Sequence, residues 1–300
     1  MHTFRERRLQ NFLQNYQHRA RLVISCPDRP GIVAAVTSFL YEQGANIVES
    51  SQYSTDPEGG TFFLRIEFDT PMMATRKANI EKAFAPIAQT FQMNWRFRLH
   101  NDLQKLAIFV SKEEHCLLEL LWEWQAGELL ADIAVVISNH EYMRESVESI
   151  GIPYYFIPVT KEKKAEAEGK QLALLNEYKV DTIVLARYMQ ILSPEFVAQF
   201  PAKIINIHHS FLPAFVGARP YERAYERGVK LIGATSHYVT DDLDEGPIIE
   251  QDVARVDHRY HPEDLKRIGR IIEKTVLARA LKWHLEDRVI IYQNKTIVFN

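Results

Sequence analysis

An amide and an imidazole stand two residues apart in the run Ile204-Ile205-Asn206-Ile207-His208-His209-Ser210-Phe211-Leu212-Pro213. If the apolar start of this run is a strand, Asn206 and His208 project to the same side and can address one ligand. That pair suits acyl chemistry: an amide N–H steadies an oxyanion, and an imidazole moves a proton near neutral pH. From the triplet alone, Asn206 capping a turn and His208 lying on the surface fit equally well.

A second run carries further polar groups: Gly233-Ala234-Thr235-Ser236-His237-Tyr238-Val239-Thr240-Asp241-Asp242-Leu243-Asp244-Glu245-Gly246-Pro247-Ile248-Ile249. A strand-like stretch here enters an acidic loop and leaves through another apolar stretch. The loop fails as a calcium site, because the third ligand position before the glycine falls on Leu243. Asp241 and Asp242 read as solvated loop acids.

The elements that must position these groups alternate regularly. Buried-type strands are expected at Leu106 to Val110, Ile133 to Ile137, Tyr154 to Ile157, Thr182 to Ala186 and Ile204 to Ile207, with helices at about Glu113 to Gln125, Glu141 to Ile150 and Lys161 to Tyr178 between them. Ser193-Pro194-Glu195 reads as a helix cap, a proline at the first helical position and an acid in the first turn. Such alternation predicts an α/β domain with a Rossmann-like, mostly parallel sheet covered on both faces. Ligands of such sheets sit beyond the carboxyl ends of the strands, where Asn206 and His208 fall. A long helix over Pro262 to Leu285 and a hairpin over Val289 to Phe299, turning near Asn294, complete this block, residues 104–300.

Asn-Ile-His-x-Ser-x-Leu-Pro followed by His-x-Val-x-x-x-x-Asp-x-Gly resembles the formyltransferase fold over about residues 104 to 285. That fold serves folate-dependent formyl transferases and formyltetrahydrofolate hydrolases. The resemblance implies that Asn206, His208 and Asp244 are catalytic. Ala186-Arg187-Tyr188-Met189-Gln190-Ile191-Leu192-Ser193 resembles the family's pteridine-pocket segment, so Met189, Ile191 and Leu192 would supply apolar walls and backbone hydrogen bonds. His237 lies in the second motif and would line the substrate site and orient Asp244 or Thr235, and His115 would contact ligand; a hydrogen-bonded structural histidine fits both positions as well.

The block before it, residues 18–100, has different periodicities. Ala20 to Cys26 alternates as a strand, and Pro27-Asp28-Arg29-Pro30-Gly31 breaks it. Ile32, Ala35, Val36, Phe39 and Leu40 then form one helical face, closed by Gly44. Asn46 to Thr55 is a strand, Asp56 to Gly60 a turn, and Phe62, Leu64, Ile66 and Phe68 alternate against Arg65 and Glu67. A helix carrying Ile80, Phe84 and Ile87 and a strand over Gln92 to Leu99 complete a ferredoxin-like βαββαβ order. The polar stretch His100 to Lys105 reads as the linker.

Asp28-Arg29-Pro30-Gly31-Ile32 through Gly44-Ala45-Asn46-Ile47 resembles an ACT domain, a module that commonly binds amino acids. The resemblance implies an effector site at Asp28, Gly31, Ile32 and Asn46, and a homo-oligomer, since such domains usually pair. Glycine and methionine suit one-carbon metabolism as effectors, and the sequence does not choose between them. A purely structural dimerisation role fits the block as well.

An ACT block joined to a formyltransferase block is similar to the formyltetrahydrofolate deformylase family. The purine-biosynthesis transferases of the fold hold their acceptor's phosphate on a glycine-rich loop after the first strand. Here Val110-Ser111-Lys112-Glu113-Glu114-His115-Cys116 has no glycine, and Glu113 and Glu114 would oppose an anion. Water is the acceptor left. The implied reaction is hydrolysis of 10-formyltetrahydrofolate to tetrahydrofolate and formate, which supplies formate and balances the one-carbon pool. Asp244 would order and deprotonate a water, directly or while positioning His208. Asn206 and His208 would hold the oxyanion, and nitrogen 10 would be protonated as it leaves. Neither metal nor cofactor is expected, because the folate is consumed as substrate. Transfer of the formyl group to an amine and a non-catalytic folate or amino-acid sensor are the competing readings.

Bulk properties fit two domains. The chain has 300 residues, 46% hydrophobic and 25% charged, with net charge -3, which is no footprint for nucleic acid. Two cysteines, Cys26 and Cys116, make no disulfide framework or zinc spacing, and no run of about 18 apolar residues spans a membrane. A reducing cytoplasm is expected. Arg5, Arg7, Arg8 and Arg19 against Glu6 faintly suggest a transit peptide, but the start is serine-poor, and a short solvated helix is expected instead.

Overall fold

The computed structural model describes residues 4–56, 58–213 and 219–300. Its chain divides into two units. One takes in the chain up to Leu103 with Glu286–Ile290 and Ile297–Asn300; the other holds Gln104–Leu285 and Ile291–Thr296.

The first unit begins with a largely exposed helix, α1 (Phe4–Asn15), where a solvated helix was expected. The βαββαβ order follows as β1 (Arg19–Pro27), α2 (Ile32–Glu42), β2 (Asn46–Ser54), β3 (Thr61–Asp69), α3 (Met73–Thr90) and β4 (Asn94–Leu99). The sheet runs β2-β3-β1-β4, antiparallel at every pairing. Gly31 takes φ 95° where β1 passes into α2, a conformation that glycine adopts without a Cβ penalty. Ala20, Leu22 and Ile24 of β1 and Leu64, Ile66 and Phe68 of β3 pack against Ile32, Val36 and Phe39 of α2 and Ile80 and Phe84 of α3. Pro57 of the expected turn lies outside the described residues.

The opposite face of this sheet is polar, as the alternation predicts, yet it is not wet. Arg21, Arg65 and Glu67 are 4%, 2% and 8% exposed. The segment Glu286–Ile290 clusters with this unit and meets those charges. Asp287 lies 3.4 Å from Arg21 and 3.1 Å from Arg96, and Arg65 donates to the Glu286 carbonyl at 3.1 Å and pairs with Glu67 at 3.0 Å.

The second unit is α/β. Its elements are β5 (Lys105–Val110), α4 (His115–Ala126), β6 (Asp132–Ser138), α5 (Arg144–Glu148), β7 (Tyr154–Phe156), α6 (Lys164–Glu177), β8 (Thr182–Ala186), α7 (Pro194–Val197), β9 (Ile204–His208), α8 (Pro220–Arg227), β10 (Leu231–Tyr238), β11 (Ile248–Arg255) and α9 (Pro262–Leu285). The seven-stranded sheet runs β11-β10-β9-β8-β5-β6-β7. Its β9-β8-β5-β6-β7 part is parallel, and β10 pairs antiparallel with both β9 and β11. The chain leaves β5 toward β6 and β7, then returns to β8 and β9 on the other side, which creates a switch point between β5 and β8.

The strand-like stretch before the acidic loop is strand β10, formed although Thr235, Ser236 and His237 interrupt its apolar run, because their polar atoms find partners in the interior. Thr235 Oγ1 donates to the Ser210 carbonyl at 2.9 Å and accepts from the Leu212 N–H and the Gln251 amide. Helix α5 is shorter than the expected Glu141 to Ile150, and α8 lacked an apolar stripe to announce it. Ser193 caps α7 as expected, accepting from the Phe196 N–H at 3.2 Å.

A hairpin, β12 (Val289–Tyr292) and β13 (Lys295–Val298), closes the chain. Cys26 and Cys116 are both free and buried. Among the described residues no helix is long and apolar enough to cross a membrane.

Candidate active site

Strand β9 delivers Asn206 and His208 at its carboxyl end, and β10 lies beside it in a register that sets His237 opposite Asn206. The Asn206 amide nitrogen is 3.2 Å from His237 Nε2. On the other side of that ring, Nδ1 is 3.0 Å from the Tyr238 carbonyl, which can only accept. Nδ1 therefore carries a proton, and Nε2 faces the Asn206 amide, which directs one N–H at it. The second N–H of that amide is left for something else.

After β10 the chain turns through Asp241 to Gly246 and brings Asp244 back over the strand ends. Asp244 sits at φ 59°, in the left-handed region that Asp tolerates better than most residues. Gly246 cannot be anything larger, since a Cβ there would overlap the Tyr238 carbonyl oxygen. These two backbone constraints are the physical content of the Asp-x-Gly motif.

Asp244 meets both imidazoles. Its Oδ2 is 3.2 Å from His208 Nδ1, and its Oδ1 is 3.7 Å from His237 Nε2. Burial alone would raise this carboxyl, but hydrogen bonding, from His208 above all, outweighs it and holds the group well below the usual carboxylate range. At neutral pH Asp244 is thus an anion and a poor proton acceptor. His208 is 6% exposed, and its Nε2 is buried with no hydrogen-bond partner among the described residues. An imidazole with an anion at Nδ1 and an unengaged Nε2 is arranged as a general base.

Asn206, His208, His237 and Asp244 line a cavity of about 350 Å³ together with Met189 and Ile191. Met189 and Ile191 are 56% and 61% exposed, apolar walls without protein cover. Leu192 also lines the cavity, but most of its side chain lies in the core that holds Phe196. The expected backbone hydrogen bonds need one correction: the Met189 N–H is already given to Ser111 Oγ at 3.0 Å, and Ser111 donates to Asn139 at 2.7 Å. That N–H holds the loop in place and is not open to a ligand.

A larger cavity, about 720 Å³, opens at the start of α4 beside Lys112, Glu113 and His115. Glu113 is met by Arg270 at 2.7 Å and Lys266 at 3.2 Å, so its charge opposes an anion less than the sequence suggests. His115 Nε2 bonds Glu273 Oε2 at 2.8 Å. His115, Cys116 and Glu273 bring ligand-type atoms within 4.8 Å of one another. Burial pushes the Cys116 thiol well up, and Arg187, 3.2 Å from Glu273, already supplies that carboxylate's counter-charge, so the set is poorly suited to a cation. Sequence reasoning missed Glu273 and Arg187. The available signal was an acid on the apolar stripe of α9, where Ile272 and Val276 are buried with it.

The predicted effector residues lie elsewhere, in the first unit. Asp28 accepts from the Ser54 hydroxyl, Gly31 caps α2, and Asn46 is exposed at the start of β2. Ile32 is 2% exposed and belongs to the core, which leaves only its backbone for a ligand.

The formyl transferase family profile matches residues 104–281, and the ACT domain profile matches residues 20–85. The chain is 63% identical over 300 residues, all of both chains, to a formyltetrahydrofolate deformylase of Bacillus subtilis (strain 168). It is 49% identical over 280 residues to one of Synechocystis, covering 93% of this chain and 98% of that one. A crystal structure of a formyltetrahydrofolate deformylase from Pseudomonas syringae superposes with TM-score 0.89 at 48% identity, covering 98% and 99% of the two chains.

Proposed function

From the premise that the chain belongs to the formyltetrahydrofolate deformylases, hydrolases that convert 10-formyltetrahydrofolate to tetrahydrofolate and formate, we propose that His208 is the base of that reaction. One observation carries the assignment: Nδ1 of His208 is engaged by Asp244, while Nε2 is buried beside the cavity with no partner. His208 takes a proton from water through Nε2 as the water attacks the formyl carbon. Asp244 orients the ring and stabilises the imidazolium that forms. The free N–H of Asn206 holds the oxyanion, with His237 fixing the amide's orientation from the adjacent strand. The imidazolium then returns its proton to nitrogen 10 as the carbon–nitrogen bond breaks.

The pteridine lies against Met189 and Ile191, and the reaction needs no resident cofactor. Water is the acceptor because the loop after β5 has no glycine to bring backbone N–H groups to a phosphate. The first unit takes an amino-acid effector near Asp28, Gly31 and Asn46, in a homo-oligomer working in the cytoplasm and linked to purine synthesis through formate supply.

Incubating the purified protein with 10-formyltetrahydrofolate and no other acceptor tests the reading. Formate and tetrahydrofolate appear in equal amounts if it is right. Release only after amines are added would make the protein a transferase, and tight folate binding without turnover would make it a sensor.

A further inference from the structure

Hydrolysis of a formyl amide begins with a neutral group and ends in an anion, so the cavity needs a cation where that charge forms. Two guanidinium groups border it, Arg187 and Arg219. The Arg219 side chain is 75% exposed beside Glu222, where water and salt screen it. The Arg187 side chain is 10% exposed. It follows the last residue of β8 at φ 61°, a left-handed conformation that a residue with a side chain adopts at a cost in strain.

Arg187 is held by an ion pair. Glu273, 1% exposed on α9, places Oε2 3.2 Å from Arg187 Nε and 2.8 Å from His115 Nε2, and Tyr221 donates to its Oε1 at 2.5 Å. Room for that hydroxyl comes from Gly269, one turn earlier, where a Cβ would overlap it. Against burial, the His115 hydrogen bond and the Arg187 charge hold the Glu273 carboxyl down at about 2. Glu273 thus stays an anion and makes a dehydrated arginine tolerable. Among the described residues Arg187 Nε has no hydrogen-bond partner even so, because its contact with Glu273 is an ion pair without hydrogen-bond geometry. Burial, reinforced by the Arg187 charge, pushes neighbouring His209 down to about 3, so that ring is neutral. Arg187 is left as the buried arginine that lines this cavity.

We propose that Arg187 binds the formyl oxygen as it becomes the carboxylate of formate, and that Glu273, supported by His115 and Tyr221, is the positioning residue that aims it. This rests on the hydrolytic reading of the cavity. The water oxygen bonds to the formyl carbon, and the bond to nitrogen 10 breaks with its electron pair going to nitrogen. One water proton ends on that nitrogen and the other leaves to solvent, so the product at Arg187 is formate.

The test measures turnover of 10-formyltetrahydrofolate with sodium formate added as product inhibitor, in the wild type, Arg187→Gln, Arg187→Lys and Glu273→Gln. In Arg187→Gln, kcat falls at least about 10²-fold, the formate inhibition constant rises at least about tenfold, and KM for the folate moves less than about threefold. Arg187→Lys recovers part of both losses, and Glu273→Gln weakens formate inhibition by a smaller factor. An arginine with only a structural role would lower Tm and leave the formate constant at its wild-type value in the folded variants, which overturns the proposal. If Arg187→Gln does not fold, Arg187→Lys and Glu273→Gln decide: unchanged formate inhibition in both overturns it, and weakened inhibition in Glu273→Gln supports it. Wild-type turnover that formate does not inhibit overturns it too. Absence of formate release by the wild type would instead overturn the hydrolytic reading itself.

Discussion

In the first unit Arg21, Arg65, Glu67 and Asp287 are all less than 9% exposed, and their charges are turned on one another. In the second, His208, His237 and Asp244 are nearly as deeply buried and equally close-set, but His208 Nε2 is left without a partner beside a cavity. The first cluster spends its charge on holding Glu286–Ile290 against a sheet. Arg65 Nη1 and Asp287 Oδ2 of that cluster also lack hydrogen-bond geometry, but each faces an ion-pair partner. Among the described residues His208 Nε2 has neither. A buried polar atom without a partner costs about 1–3 kcal/mol, and a native fold keeps such a defect where a substrate or water repairs it. Burial of charge by itself therefore does not mark a site; incomplete pairing beside a void does.

The largest expected effect breaks the catalytic cluster. Asp244→Asn should fold and lose about 10⁴-fold in kcat, measured as formate release, because the histidine loses its orienting anion. Its pH behaviour sharpens the point. The folded carboxyl of Asp244 is depressed, so the stability it contributes is fully present above the unfolded value of about 3.9 and is lost only as pH falls through the lower folded one. The Asp244 contribution to the stability difference between wild type and Asp244→Asn should shrink in acid below about pH 4. A difference that does not shrink there would mean the carboxyl is not held down.

The structural cluster should respond in the opposite currency. Asp287→Asn leaves buried arginines without their counter-charge and should cost about 3–5 kcal/mol in chemical denaturation, with kcat of the folded protein within about twofold of wild type. Loss of turnover at full stability would erase the distinction between the two clusters. The smallest of the three effects is at Asn206. Asn206→Ala should lower kcat by about 10²–10³ with little change in KM, as removal of one oxyanion donor does. Retention of most of kcat would remove Asn206 from that role.

Much of the fold was legible because local patterns agree with the tertiary structure. The alternation of Phe62, Leu64, Ile66 and Phe68 and the helical stripe of α2 both describe faces that pack in one core. Helix α9 runs over Pro262–Leu285, the span the sequence predicts. Strand β10 was legible as a strand-like stretch, but the burial of Thr235, Ser236 and His237 was not, because they look like surface residues until their interior partners are known. Asn206 and His208 could be paired from strand geometry alone, two residues apart on one strand. His237 joins them only through the antiparallel register of β9 and β10, and Asp244 only through the turn that Gly246 permits.

The sequence by itself determined the elements, their order, and a short set of residues chemically able to handle an acyl group, since these depend on periodicity and on residue type. Tertiary structure alone decided which nitrogen of His208 is engaged, why Asp244 stays ionised, and that Arg187 shares Glu273 with His115. Those facts depend on distances between groups far apart in the chain. Coulomb energy and hydrogen bonding change over fractions of an ångström, which no one-dimensional pattern records.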